Sequence, residues 1–207
     1  MTPDAKTKRK RKSPKRAAVV KAATEEFLTY GYSGTSMDRI SEAANVSKRT
    51  VYDHFPSKED LFQAISDEIL KRIDEKPVHE YDKDRTLEEQ LLEIGNTFAN
   101  TITDEEFIKL SRVVIGRFIQ TSDSAHKTAM AMARLRKDMI AFFKAGKRDG
   151  RLKITNPEQA ATQFAGLIKE IAFWPAITAG EAPVTTRERK AIVKSAVEMF
   201  LAYYQSN

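Results

Sequence analysis

The stretch NVSKRTVYDHFPSKEDLF, residues 45–62, decides how the N-terminal part of the chain folds. Ser47 is a favourable N-cap, so a short helix is expected over residues 48–54, ending before the proline that follows. Val51 and Phe55 lie four residues apart on one side of this helix, while long polar side chains crowd the other side. The pattern predicts a helix that is held by a narrow apolar face and presents its polar face outward.

A second short helix precedes this one and completes a two-helix motif. Apolar residues at helical spacing predict it over residues 37–44, with Ser36 or Thr35 as its N-cap. Residues 45–47 then form a tight turn before the next helix begins. Two helices joined in this way form a helix-turn-helix, whose second helix can enter the major groove of DNA. The alternative is a helical hairpin whose exposed face is merely charged.

The composition is that of a chain able to bury a hydrophobic core. It has 207 residues, of which 41% are hydrophobic, and it has no cysteine, which excludes a disulfide framework and a thiolate metal site. No apolar run reaches the roughly 18 residues that a membrane-spanning helix requires. The basic N-terminus lacks the apolar segment of a secretory signal. We therefore expect a soluble, cytoplasmic protein.

The net charge of +6 is concentrated at the N-terminus. Residues 1–16 carry eight lysines and arginines against Asp4 alone, whereas the rest of the chain carries 27 basic and 28 acidic residues. A block of like charge repels itself, so residues 1–16 are expected to form a disordered arm. The arm suits DNA phosphate or anionic lipid, or it serves only as a solvated tail. The arm residues proposed to contact DNA are Lys8, Arg9, Lys10, Arg11, Lys12, Lys15 and Arg16.

The remainder of the sequence also has helical periodicity, with no alternating run that would indicate a sheet. A first helix is expected over residues 14–30 and a fourth from Ser57 to just before Pro77. Capping signals at Thr86, Thr103, Asn156 and Thr185, with stops at Gly150 and Trp174-Pro175, predict further helices over 86–102, 104–120, 123–149, 157–173 and 186–205. The fold class is all-α, with an arm (1–16), a helix-turn-helix domain (17–62) and a helical C-terminal domain (63–207).

Residues 17–62 resemble the DNA-binding domain of TetR-type transcriptional regulators. The resemblance runs from the helix containing Phe27 through GYSGTS and MDRISEAANVSKRTVYDHFPSKEDLF, in order and with matching spacing. Over about 100–205, the segments FIKLSRVVIGRF, GRLKITNPEQAATQFAGLIKEIAFWPAITAG and EMFLAYY are similar to the AefR-like class of C-terminal domains.

The resemblance implies a three-helix DNA-binding domain followed by a helical ligand-binding and dimerisation domain. Its implied function is a homodimeric repressor that binds a palindromic operator and responds to a small-molecule effector. Two alternatives stay open: an activator or global regulator without an effector, and a membrane-surface module that uses the basic arm. The expected partners are double-stranded DNA, a second copy of the chain and an unknown effector, with no membrane and no cofactor.

The resemblance also implies roles for individual residues of the N-terminal domain. Thr35 and Ser36 would meet a DNA phosphate. Two residues depart from the family's commonest pattern: Arg49 stands where glycine is frequent, and Asp53 brings a negative charge, which we expect to orient Arg49 or Lys48 or to accept a hydrogen bond from cytosine. The residues expected in the groove are Lys48, Arg49 and Thr50, and those expected at backbone phosphates are Tyr52, His54 and Lys58.

The C-terminal candidates are apolar residues at helical spacing, for which burial in the core of one chain is the alternative. The candidates for a ligand pocket are Phe98, Arg112, Phe118, Met139, Phe142 and Phe143, with Met130 and Arg117 also considered. The candidates for a dimer interface are Phe164, Leu167, Ile171, Trp174, Val193, Val197, Phe200 and Tyr204.

An enzyme is the competing class of function, and the sequence does not favour it. The three histidines, His54, His79 and His126, have no metal-ligand spacing, and there is no HExxH motif. Neither a phosphate-binding glycine loop nor a GxSxG motif occurs. We expect neither catalysis nor a metal site.

Overall fold

The computed structural model describes residues 13–120 and 133–206, with only the backbone for 118–120. Within these residues the chain forms ten helices described from end to end, a helical segment at 133–135 and an isolated bridge between Leu152 and Gln205, but no strand. The helices are α1 Pro14–Gly34, α2 Met37–Ala43, α3 Lys48–His54, α4 Lys58–Asp74, α5 Leu87–Ile102, α6 Glu105–Gln120, α7 Lys137–Arg148, α8 Pro157–Ala172, α9 Trp174–Thr178 and α10 Thr186–Tyr204. The predicted all-α class is confirmed.

Contacts divide the chain into two compact units. Among the described residues, the first unit comprises 13–71 and 109–120, and the second comprises 72–108 and 133–206. Helices α4 and α6 each contribute residues to both units. None of the described helices is long and apolar enough to cross a membrane.

Most helix starts follow from side-chain caps that the sequence predicts. Ser36, Ser47, Thr86, Asn156 and Thr185 each accept a hydrogen bond from the backbone N–H three residues later. At Thr185 the bond is reciprocal, because the Glu188 side chain accepts from the backbone N–H of Thr185.

The cap predicted at Thr103 is wrong. The Thr103 hydroxyl donates to the carbonyl of Ala99, at 2.8 Å, and thereby ends α5. Asp104 caps α6 instead, since its carboxylate accepts from the backbone N–H of Phe107 at 2.9 Å. Both Thr103 and Asp104 have side chains that can cap a helix. Because the connection between α5 and α6 is short, Thr103 serves the end of α5 and Asp104 serves the start of α6.

Three other boundaries refine the sequence prediction. Gly31, at φ +70°, kinks the first helix, which then continues as helix to Gly34. Trp174-Pro175 begins the short helix α9, because proline is tolerated in a first helical turn. The helix expected over 123–149 is represented by α7, and residues 121–132, which include Met130 and His126, lie outside the described residues.

An aromatic cluster forms the centre of the second unit. The rings of Phe143 and Phe200 stack at 4.7 Å between centroids, and Phe164 meets both edge-on, at 6.1 and 5.2 Å. All three side chains are buried, where α8 packs against α5, α7 and α10. Each buried phenylalanine of this kind stabilises the fold by about 1.5–3 kcal/mol, so this cluster is a major source of stability for the unit.

Gly95 lets α5 approach α10 closely, and its substitution tests this packing. A Cβ at Gly95 would lie 2.7 Å from Cγ1 of Val193 and 3.4 Å from Cζ of Phe164. We expect Gly95→Ala to lower the free energy of unfolding by about 1–3 kcal/mol through overpacking. Denaturant unfolding measures the change.

The matched control is Gly116→Ala in α6, where a Cβ meets no atom within 4 Å. There the same substitution should stabilise the chain by about 0.5–1 kcal/mol, because alanine favours the helix. Equal effects of the two substitutions would contradict the packing described for Gly95.

Candidate nucleic-acid interface

The turn between α2 and α3 is a Schellman motif. Asn45 adopts φ +50°, in the left-handed region that asparagine tolerates better than most residues. The N–H of Asn45 donates to the carbonyl of Glu42 at 3.0 Å, and the N–H of Val46 donates to that of Ser41 at 3.1 Å. These two bonds end α2 and bring the chain directly to Ser47, the N-cap of α3.

Helix α3 is anchored through one side only. Val51 is fully buried and Phe55 is 2% exposed, and α3 packs against α1 and α2. The guanidinium of Arg16 in α1 also lies 4.9 Å from the centre of the Phe55 ring. A helix of seven residues is too short to be stable alone, so this apolar contact holds α3 in place.

The opposite side of α3 is open to solvent. Lys48, Arg49 and Asp53 are exposed, Thr50 is half-buried, and Tyr52 is 49% exposed. The Arg49 side chain makes no hydrogen bond or ion pair with any residue that the structure describes. Its guanidinium is therefore available, and a guanidinium pairs in bidentate fashion with guanine.

The acid that orients a basic residue of α3 is Asp38, so the expectation for Asp53 is wrong in this respect. The Lys48 ammonium lies 2.7 Å from the Asp38 carboxylate, and both groups are exposed. The hydrogen bond to Asp38 raises the pKa of the Lys48 ammonium. Asp38 lies on α2, so this pair links the outer faces of the two helices.

The two residues before α2 differ in their surroundings. Thr35 is buried, and its hydroxyl donates to the carbonyls of Glu26 and Gly31, at 3.0 and 2.9 Å. That hydroxyl is therefore hydrogen-bonded within the fold, contrary to the phosphate contact expected for the Thr35 side chain. Ser36 is exposed, and its hydroxyl caps α2 by accepting from the N–H of Arg39 at 3.2 Å.

Lys58 likewise supports the fold instead of facing outward as a free cation. Its ammonium donates to the carbonyls of Tyr32 and Thr35, at 2.7 and 2.9 Å, and lies 4.4 Å from the centre of the Tyr32 ring. These bonds tie the start of α4 to the segment between α1 and α2. The structure therefore gives Lys58 a positioning role in place of the expected phosphate contact.

Tyr32 is the residue of this unit whose importance the sequence did not show. Its hydroxyl donates to Glu59, and the guanidinium of Arg117 lies 4.0 Å from the centre of its ring. Burial, and then the hydrogen bond to Glu59, raises the pKa of Tyr32 to about 12. Its neighbours belong to α4 and α6, so only the folded chain reveals the cluster.

Ser13, the first described residue, lies beside the end of α3. The Oγ of Ser13 and the Nε2 of His54 form a hydrogen bond at 3.2 Å. His54 is the last residue of α3, and one of its ring nitrogens is thus engaged within the unit. Lys15 is exposed and Arg16 half-buried, while Lys8, Arg9, Lys10, Arg11 and Lys12 lie outside the described residues.

Comparison with known protein families identifies both parts of the chain. Residues 19–65 match the bacterial regulatory proteins of the tetR family, and residues 89–206 match the C-terminal domain of AefR-like transcriptional repressors. The chain belongs to the TetR family. Like the proteins of that family, it is a DNA-binding transcriptional regulator and not an enzyme.

Individual relatives of this TetR-family regulator agree. It is 39% identical to a TetR family transcriptional regulator from Pseudomonas syringae pv. tomato, over 95% of this chain and all of that one, with a TM-score of 0.79. It is 27% identical to the uncharacterized regulator YhgD of Bacillus subtilis, over 69% of this chain and 74% of that protein. RutR of Escherichia coli is 41% identical over 58 residues, which is 28% of this chain and 27% of RutR.

Most candidates for a ligand pocket in this TetR-family regulator are packed in its core. Phe98, Met139, Phe142 and Phe143 are all at most 2% exposed, and none of them lines the cavity described below. Arg112 is exposed and belongs to the part of α6 in the first unit, and the Phe118 side chain lies outside the described residues. A cavity of about 300 Å³ in the second unit is lined by other residues: Arg72, Glu75, Lys76, Pro77, Thr97, Asn100, Thr101, Asp104 and Phe107.

The candidates for a dimer interface separate into two groups. The side chains buried within this single chain are Phe164, Val193, Val197 and Phe200. They face the chain's own core, so they offer no surface to a partner, which corrects the expectation for these four. Ile171 is 58% exposed, and Leu167, Trp174 and Tyr204 are half-buried. The other face of α10 exposes Met199 and Tyr203, at 57% and 70%.

The contrast between Lys58 and Lys48 gives a direct test of this interface. We expect Lys58→Met to lower the free energy of unfolding by about 1–3 kcal/mol, because it leaves two backbone carbonyls without their charged donor. Lys48→Met removes only an exposed ion pair and should leave unfolding essentially unchanged. Denaturant unfolding of the two variants compares them, and similar destabilisation by both would argue against the positioning role of Lys58.

Proposed function

We propose that this regulator is a homodimeric repressor that binds a palindromic operator and releases it when a small-molecule effector binds the second unit. The observation that carries the proposal is Arg49, exposed and unpaired among the described residues on a helix whose other side is buried. A rigid helix with an available guanidinium suits the major groove, where arginine pairs with the O6 and N7 of guanine.

The neighbours of Arg49 suit contacts to the DNA backbone. The Tyr52 hydroxyl and the Lys48 ammonium are exposed on the same helix, and Ser36 is exposed at the start of α2. Phosphate contacts of this kind fix the register of a protein on the duplex, while base contacts select the sequence. Because Asp38 shares the Lys48 ammonium in the free protein, binding to phosphate would have to compete with that ion pair.

The basic arm is proposed to extend the DNA contact. It enters the fold at Ser13, which is bonded to His54 at the end of α3, so the arm begins next to the helix that enters the groove. Such arms of Lys and Arg residues follow phosphates or the adjacent minor groove. The placement favours DNA over an anionic membrane as the partner of the arm.

Repression and an effector are supported by the relatives. The C-terminal match is to AefR-like transcriptional repressors. The flavonoid-responsive regulator FrrA is 26% identical over 93% of this chain and 98% of FrrA, with a TM-score of 0.70. An effector that binds one conformation more tightly shifts the chain toward it, and differential affinity of a few kcal/mol suffices. A regulator of this kind acts where the bacterial chromosome is, so we place it in the cytoplasm.

The dimer is proposed to form through the outer faces of α8 and α10. Ile171 in α8 and Met199 and Tyr203 in α10 are large apolar side chains exposed in the single chain. Clusters of such residues commonly mark protein interfaces. A two-fold dimer would present two copies of α3, as palindromic half-sites about 34–36 Å apart require.

The first test replaces the residue that carries the proposal. With an operator selected from genomic DNA by the wild-type protein, we expect Arg49→Ala to reduce specific binding by about 1–3 kcal/mol and to relax base preference at one position of each half-site. Fluorescence anisotropy with operator variants measures both effects. Arg148→Ala, at an exposed position of the second unit, is the matched control and should bind as the wild type does.

The same assay separates the role of the arm. Deleting residues 1–12 should weaken binding to all sequences alike and make affinity less dependent on salt, because fewer counterions are released. Loss of binding to anionic vesicles with unchanged DNA affinity would favour the membrane alternative.

Wild-type affinity and base preference in Arg49→Ala would contradict the proposed reading of the operator.

A second test addresses the dimer. Introducing charge at the exposed apolar face, as Ile171→Glu together with Tyr203→Glu, should convert a dimer to monomers, because each buried carboxylate would lack a partner. Sedimentation velocity measures the mass. Val78→Glu changes another exposed apolar residue of the second unit, 68% exposed, and should leave the dimer intact. A double variant that sediments as the wild type does would place the interface elsewhere.

A further inference from the structure

Two cations of the second unit form no ion pair within the part of the chain that the structure describes. The Nε of Arg136 is buried and has no hydrogen-bond acceptor. Neither Arg136 nor Lys169 forms an ion pair or a side-chain hydrogen bond with any residue between 13 and 120 or between 133 and 206. Arg136 directly precedes α7, Lys169 lies in the last turn of α8, and these two helices pack against each other.

Both cations are half-buried, and they belong to neighbouring helices because α7 packs against α8. Burial lowers the pKa of the Arg136 guanidinium. Burial, and then the nearby charge of Arg136, lowers the pKa of the Lys169 ammonium, which Glu170 only partly offsets. The ammonium of Lys169 lies 5.7 Å from the centre of the Trp174 ring, so an aromatic face forms one side of this pair.

The acid nearest to Arg136 in the sequence does not neutralise the pair. The Asp138 carboxylate is bonded to the ammonium of Lys76 at 2.6 Å, and both side chains are largely buried. Buried charges in proteins are usually paired, because an unpaired one loses hydration without compensation. Two like charges on packed helices, with no ion-pair partner among the described residues, raise that cost, and binding of an anion would relieve it.

We propose that Arg136 and Lys169 bind the carboxylate or phosphate group of the effector, with the Trp174 ring beside its apolar part. The assignment rests on the effector in the proposed function and names its chemical class, an organic anion. The guanidinium offers a planar pair of donors to an oxyanion, and the ammonium adds a point charge with donors free to rotate. The site differs from the residues that the sequence suggested, since neither cation was among them.

The sequence contains a weak signal for this site. Lys169 and Glu170 alone interrupt the apolar stretch QFAGLIKEIAFWPAITAG, residues 163–180. The interruption indicates a polar requirement within an otherwise apolar helix face. It does not show which of the two charges is buried or that Arg136, over thirty residues earlier, lies near it.

Trp174 is the single tryptophan of the chain, so its fluorescence reports on this site alone. We would titrate the full-length, DNA-free protein with sodium benzoate, with inorganic phosphate and with neutral benzamide, at constant ionic strength set by sodium chloride. Saturable quenching by benzoate is expected, and benzamide should need at least about tenfold higher concentration because it lacks the charge. Quenching by phosphate as well would show that the anionic group is sufficient for binding.

Variants decide whether the two cations are responsible. Arg136→Met and Lys169→Met should each abolish saturable quenching by the anion, whereas Lys169→Arg should retain it because the charge is kept. Lys194→Met, at a 67% exposed position of α10, is the matched control and should respond as the wild type does. Removing an uncompensated cation should also raise the melting temperature of the anion-free Lys169→Met protein, by roughly 2–4 °C.

The outcomes separate this site from the proposed function. Equal responses to benzoate and benzamide, no response to either anion, or wild-type quenching in both methionine variants would overturn the site. These measurements use no DNA, so failure of operator binding would reject the proposed function and leave the anion site standing. If anions bind at Trp174 while operator affinity stays unchanged, the site stands and its assignment to an effector is overturned.

Discussion

The burial of Val51 and Phe55 is the constraint on which the first unit depends. Helix α3 has only seven residues, so its position comes from this apolar contact with α1 and α2 and not from its own helical stability. Once that side is buried, helical geometry directs Arg49 to the opposite side, into solvent. The Schellman turn at Asn45 fixes where α3 begins relative to α2. A DNA-reading surface therefore follows from packing beneath it.

The polar residues around α3 divide according to whether their hydrogen bonds are already used. Thr35 and Lys58 bond to backbone carbonyls inside the unit and hold its segments together. Lys48 is shared with an exposed acid, and Arg49 has no partner among the described residues. Groups with satisfied bonds stabilise the scaffold, whereas groups without them are free to bind another molecule. This division separates structural roles from the proposed DNA-binding roles more sharply than residue type does.

The second unit combines a filled core with an uncompensated charge. Phe143, Phe164 and Phe200 pack ring against ring, so this region leaves no room for a ligand. Arg136 and Lys169 have no ion-pair partner among the described residues, which makes their partial burial unfavourable in the free protein. A ligand controls a regulator by binding one of its conformations more tightly than another. In the proposed effector site, relief of the unpaired charges would supply that difference in free energy.

The sequence by itself determined the helices of the chain and the motif at residues 45–62, because caps and apolar periodicity are local signals that each helix carries in its own residues. The tertiary structure decided which apolar side chains are buried in the chain's own core and which polar groups form hydrogen bonds within the chain. Periodicity groups Val197 with Phe200 and Met199 with Tyr203 along α10, but it does not show which of these pairs meets the chain's own core. Likewise, periodicity does not decide whether Thr103 or Asp104 caps α6, because both are adjacent residues that compete for one helix end. It also does not show that Arg136 lies near Lys169, because these two residues belong to distant segments.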